Sequence, residues 1–133
     1  MLSKKKLKSI LKNISSIAII GASPKPERDS YKVMKFLIDY GFEVFPVNPN
    51  YIDHEILGEK CFSNLKDIDQ KIDMVDIFRP TEFVNEITED AIKVGVKVIW
   101  TQEGIIDNKS SFMALNQGIK FVMDECPMKV LMN

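Results

Sequence analysis

Ser16-Ile17-Ala18-Ile19-Ile20-Gly21-Ala22-Ser23-Pro24-Lys25-Pro26-Glu27-Arg28-Asp29-Ser30-Tyr31 decides the fold. Its first five residues are small or β-branched and run without alternation, as a strand buried on both faces requires. Gly21 lets the backbone turn sharply where the strand ends. Asp29 or Ser30 can then cap a helix that runs to about Tyr40, with Val33, Phe36, Leu37 and Tyr40 as its apolar face and Gly41 as its stop. A second strand over residues 42–47, ended by Asn48-Pro49, completes a strand–helix–strand unit.

The same alternation continues downstream. Residues 74–78 read as a third buried strand, closed by Arg79-Pro80. Thr81 caps a helix through Val94, with Phe83, Val84, Ile87, Ala91 and Val94 on one side. Residues 96–100 form a fourth strand. A helix starting at Ser110 or Ser111 runs to about Gln117, and residues 119–123 form a fifth strand. Residues 50–71 are the least regular, with room for one short helix around Leu65 and Ile68. Upstream, Leu7, Ile10, Leu11 and Ile14 mark an amphipathic helix within residues 1–15. Its lysines suit solvent, and packing on the domain is expected over lying on a membrane surface. The expected fold is α/β: a Rossmann-like, doubly wound parallel five-stranded sheet, order 3-2-1-4-5, with helices on both faces. One domain is expected to cover residues 1–133.

Composition narrows the function. A chain of 133 residues with 45% hydrophobic and 28% charged residues reads as globular. Its formal net charge is −1, which argues against nucleic acid as a partner, because that affinity needs a basic surface. No stretch is long and apolar enough for a signal peptide or a membrane span. Two cysteines cannot build a disulfide framework and fit a reducing, cytoplasmic setting.

In doubly wound sheets ligands bind beyond the C-terminal strand ends, and polar or backbone-shaping residues follow every predicted strand. After the first come Gly21, a small Ala22, the Ser23 hydroxyl and the cations Lys25 and Arg28, and then the positive end of a helix, with Lys32 in its first turn. That set suits a phosphate. An ordinary NAD site is disfavoured. Gly21 is followed by no second or third glycine in its loop, and the second strand ends in Val47-Asn48-Pro49 without the acid that binds ribose hydroxyls. Glu43 stands at the wrong end of that strand. A carboxylate there would also repel a phosphorylated ribose.

These residues resemble a known family. Gly21-Ala22-Ser23-Pro24, Pro26-Glu27-Arg28, Ser30-Tyr31 and Phe45-Pro46-Val47-Asn48-Pro49 are similar to stand-alone CoA-binding domains. So are Met74-Val75-Asp76-Ile77-Phe78-Arg79, Ile99-Trp100-Thr101-Gln102 and Val122-Met123-Asp124 followed by Cys126. The resemblance covers residues 16–128 and extends to the N-terminal domain of succinyl-CoA synthetase alpha subunits. It implies coenzyme A or an acyl-CoA as ligand. Gly21, Ala22 and Ser23 would take the pyrophosphate, with Pro24, Arg28, Ser30 and Tyr31 alongside. Val47, Asn48 and Pro49 would line the adenosine end, Phe78, Arg79 and Pro80 would flank the nucleotide, and Gln102 and Gly104 would face the pantetheine. The 3′-phosphate of coenzyme A then accounts for the missing ribose acid. Asp29 departs from the proline found in many relatives, which leaves the role of Arg28 open.

A catalytic constellation is not visible. His54 is a lone loop histidine, and one histidine with two distant cysteines makes no metal site. Cys126 follows the fifth strand near the expected ligand rim. It is a small buried residue in the simpler reading, and a partner for a mixed disulfide with the coenzyme thiol in the other. The chain is thus expected to be a non-catalytic coenzyme-binding module, with a protein partner or a homo-oligomer as possible context. The alternative is a small NAD(P)-dependent oxidoreductase or another Rossmann-type nucleotide enzyme.

Overall fold

β1 (Ser16–Ile20) is buried along its whole length, and its neighbours follow from that. In the computed structural model, which describes residues 2–132, β1 lies between β2 (Glu43–Val47) and β5 (Met74–Ile77), parallel to both. β6 (Val98–Thr101) and β7 (Lys120–Val122) extend the sheet, giving the order β2-β1-β5-β6-β7. A small antiparallel hairpin, β3 (Glu55–Ile56) and β4 (Glu59–Lys60), stands apart.

The doubly wound parallel architecture is as expected, but the strand order is not. Counting only the five long strands, the expected order 3-2-1-4-5 is replaced by 2-1-3-4-5. Two features of β2 explain the change. Pro46 lacks an N–H, so β2 cannot donate fully to a neighbour on each side, and proline within a sheet belongs on an edge. The outer side of β2 is also already occupied: the Phe62 N–H donates to the Pro46 carbonyl at 2.9 Å and the Asn48 N–H to the Phe62 carbonyl at 2.9 Å. The third long strand therefore docks on the free side of β1, and its four residues are fully buried at the centre of the sheet.

The strand pleat sends alternate residues into two cores. Ile17, Ile19, Met74, Val98 and Trp100 meet α1 (Lys4–Lys12), α2 (Asp29–Tyr40) and α5 (Pro127–Met132). Ala18, Ile20, Val75, Ile77 and Ile99 meet α3 (Val84–Val94) and α4 (Asn108–Asn116). Both faces are covered, which is why the strands are continuous apolar runs. The N-terminal helix buries Leu7, Ile10 and Leu11 beside α5. On α2 the buried face is Val33, Met34 and Leu37. Tyr40, expected on that face, is exposed and stacks on Phe36 and Phe42.

The order fixes where the sheet opens. The chain leaves β1 toward α2 on one face and leaves β5 toward α3 on the other. The crevice therefore lies above β1 and β5, between Gly21 and Phe78-Arg79.

Candidate functional site

Gly21 is held at φ +90, in the left-handed region, and a Cβ there would sit 2.7 Å from the Phe78 carbonyl oxygen. Any side chain would push the β1 and β5 ends apart. The Gly21 and Ala22 N–H groups both donate to the Val47 carbonyl, at 2.9 and 3.3 Å. Those two amides therefore fasten the loop to β2 and are not offered to a phosphate. The Asn48 side chain completes the clamp. Its Nδ2 donates to the Ala22 carbonyl at 2.8 Å, and its Oδ1 accepts from the Asn50 N–H at 2.9 Å.

Two clefts flank this clamp and share Gly21, Asn48 and Arg79 as walls. One, of about 510 Å³, opens over Ala22, Ser23 and the start of α2, where Arg28, Asp29 and Ser30 line it. The capping expected of Asp29 or Ser30 does not occur. Arg28 holds the cap position, and no side chain bonds the first-turn amides. The positive end of this 12-residue helix thus opens on the cleft. The other cleft, of about 200 Å³, has an apolar floor of Ile20, Val47, Leu65, Phe83 and Ile87. Ser63, Asn64, Glu86 and Asp90 stand around it.

Arg79 joins the two. It is half-buried, its guanidinium lies 4.1 Å over the Phe83 ring, and no ion pair among the described residues involves it. A guanidinium steadied by a ring and without an ion pair has the chemistry to receive an anion.

Of the residues expected at the site, Gly21, Ala22, Ser23, Arg28, Ser30, Val47, Asn48, Pro49, Phe78 and Arg79 line one cleft or the other. Five do not. Pro24 stays in the loop, and Tyr31 packs against the core. Pro80 is exposed at the start of a 3-10 turn. The Gly104 N–H is taken by the Asp124 carboxylate at 2.7 Å. Gln102 points inward, donating its Nε2 to Asp76 Oδ1 at 2.7 Å. Phe83, Ile87 and Leu65 were legible only as apolar stripe positions. Their place in a cleft depends on the crossing of residues 48–73 over β1.

Both thiols are buried, and burial raises each above its ordinary pKa. Cys61 donates to the Asn48 carbonyl at 3.6 Å, under the β2 end of the rim. Cys126 is held by the Met128 and Lys129 N–H groups at the start of α5. His54 is exposed and meets Tyr51 edge-on. Among the described residues no cluster of His, Cys, Asp or Glu could hold a metal, and no helix is long and apolar enough to cross a membrane.

Known proteins resemble this chain in sequence and fold. YneT, an uncharacterized protein of Bacillus subtilis, is 39% identical over 124 residues, covering 93% of this chain and 90% of its own length. The alpha subunit of acetate–CoA ligase [ADP-forming] I from Pyrococcus furiosus is 40% identical over 91 residues, which are 65% of this chain but only 20% of that subunit. A solved structure of a hypothetical protein from Pyrococcus horikoshii superposes with a TM-score of 0.91 at 41% identity, covering 97% of this chain and 89% of the other. The CoA binding domain model matches residues 15–132, and the chain belongs to that family.

Proposed function

We propose that this chain binds coenzyme A or an acyl-CoA as a non-catalytic module of the cytoplasm. The observation that carries the reading is Arg79, an arginine without an ion pair, set between an apolar cleft and a cleft at a helix N-terminus. A nucleotide laid across it would put its purine on Phe83, Ile87 and Leu65. Its pyrophosphate would lie between Arg79, Arg28 and the first turn of α2. The end of β2 carries Asn48 where NAD sites carry an acid, which leaves room for a 3′-phosphate. The thiol-bearing arm would run toward the rim loop at residues 102–105. A partner that acts on the bound thioester is part of this reading, since the ligase relatives carry such a domain within longer chains.

Thermal unfolding with coenzyme A, acetyl-CoA, NAD and NADP tests it. At 100 times its Kd the true ligand stabilises by about 2.7 kcal/mol, and coenzyme A should do so where NAD does not. Stabilisation by NAD alone would install the oxidoreductase reading instead. Arg79→Ala should weaken coenzyme A by roughly 2 kcal/mol while the unliganded protein stays folded. An unchanged affinity removes Arg79 from the site.

A further inference from the structure

Asp76 sits in the middle of the central strand, next to Ile19 of β1 and Trp100 of β6, and has no exposed surface. It lies two residues before Phe78, roughly 7 Å below the floor of the crevice. Its Oδ1 accepts from Gln102, and its Oδ2 has no hydrogen-bond partner. Gln102 belongs to the rim loop. That loop is fastened further by Thr101 Oγ1 donating to the Ile105 carbonyl, by Gly104 bonding Asp124, and by Glu103 pairing with Lys129. A carboxyl deep in the sheet is therefore tied to the loop after β6, two residues below Phe78, which lines the helix-end cleft.

We propose that Asp76 is a proton-linked positioning residue for the groove: protonated, it holds Gln102 without adding charge, and ionised, it sets an uncompensated negative charge beneath an anionic ligand. This rests on the coenzyme-A reading above. The surroundings argue for it. The helices over this face bury Leu7, Ile10 and Leu11 from α1, Val33, Met34 and Leu37 from α2, and Pro127 and Val130 from α5. The titratable group facing Asp76 there is the Cys126 thiol. Glu103 acts on that thiol from the outer side, and Lys129 is paired with Glu103. A buried carboxylate with one amide donor and no cation is costly to ionise. Burial accordingly raises the carboxyl to about 7, with the Gln102 amide opposing. By reciprocity, a ligand that disfavours the charge draws a proton onto Asp76 as it binds.

Calorimetric titrations from about pH 5.5 to about pH 8.5, in buffers of different ionisation heat, test the proposal. Dephospho-CoA is the primary probe, because it lacks the 3′-phosphate whose own titration falls in this range; coenzyme A is run beside it. Wild-type affinity should fall roughly 10-fold across the range, with proton uptake on binding near neutrality. Asp76→Asn should flatten the profile and abolish the uptake. Should that variant fail to fold, Gln102→Met removes the donor that stabilises the anion, and the fall should move to higher pH. Superposed wild-type and Asp76→Asn profiles, or an unmoved midpoint in Gln102→Met, overturn the proposal and leave the binding reading standing. Absence of binding by either coenzyme at every pH overturns both.

Discussion

Asp73 immediately precedes the central strand and Asp76 lies within it, both buried, and their surroundings drive them in opposite directions. Burial pushes each carboxyl up. At Asp73 that push is outweighed. The Ser15 N–H at 2.8 Å and the Ser15 hydroxyl at 3.1 Å both donate to Oδ2, Lys97 stands 3.6 Å from Oδ1, and the group ends below its ordinary value. At Asp76 one amide opposes burial and loses. The same residue type is thus an ionised anchor just before the central strand and, three residues on, a group poised near neutrality. The anchored end joins α1 to β1 and β5, where nothing needs to change. The poised end underlies the groove.

The largest expected effect tests the poised end. Asp76 has a folded pKa above its unfolded one, so its contribution to stability is whole below the ordinary carboxylate range and is lost as pH rises to about 7. Three units at 1.36 kcal/mol give a swing of about 4 kcal/mol as an upper bound. Urea unfolding across this range should show wild type losing stability relative to Asp76→Asn. Parallel curves would mean that the carboxyl is relieved by water and that the two aspartates do not differ.

Asp73→Ala should follow, at roughly 2 kcal/mol near neutral pH, because it removes the charged acceptor of both Ser15 donors, which the exposed Ser15 then returns to water. The pH dependence is opposite. A depressed folded pKa gives stability that is present above the unfolded value and lost as pH falls through the folded one. The gap between wild type and Asp73→Ala should therefore close in acid. A gap that persists at low pH would assign the loss to packing rather than to the carboxylate.

The contrast between the two ends also bears on what the chain makes legible. β1, Gly21 and the helix after it can be read locally, because burial on both faces and a positive φ leave direct marks on residue type. So can Arg79, which follows a strand wherever that strand sits. The strand order is a property of pairs. Its one local trace was Pro46, whose missing N–H marks β2 as an edge. The β3–β4 hairpin turns through Leu57 at φ 52 and Gly58 at φ 80, and its two-residue strands are too short to show alternation. α5 starts on a proline and has six residues, so its existence depends on Val130 and Cys126 reaching the core under α1. The direction of the Gln102 amide is hidden for a related reason. Spacing locates a glutamine at a strand end, but not the direction of its amide, and here a buried carboxyl attracts it inward.

Lys97→Met should have the smallest effect and sharpens the comparison most directly, since Lys97 is the cation that Asp73 has and Asp76 lacks. Its ammonium is 3.6 Å from Oδ1, and its side chain is 55% exposed, so water and salt screen the pair. The methionine keeps most of the aliphatic stem, leaving the charge as the main change. The expected loss is under about 1 kcal/mol, shrinking further at high ionic strength. Asp73 should still titrate below the ordinary carboxylate range, held by Ser15 and Ser16. If the loss instead matched that of Asp73→Ala, the cation would be what separates the two aspartates. A lysine placed near Asp76 would then be enough to turn the poised carboxyl into a second anchor.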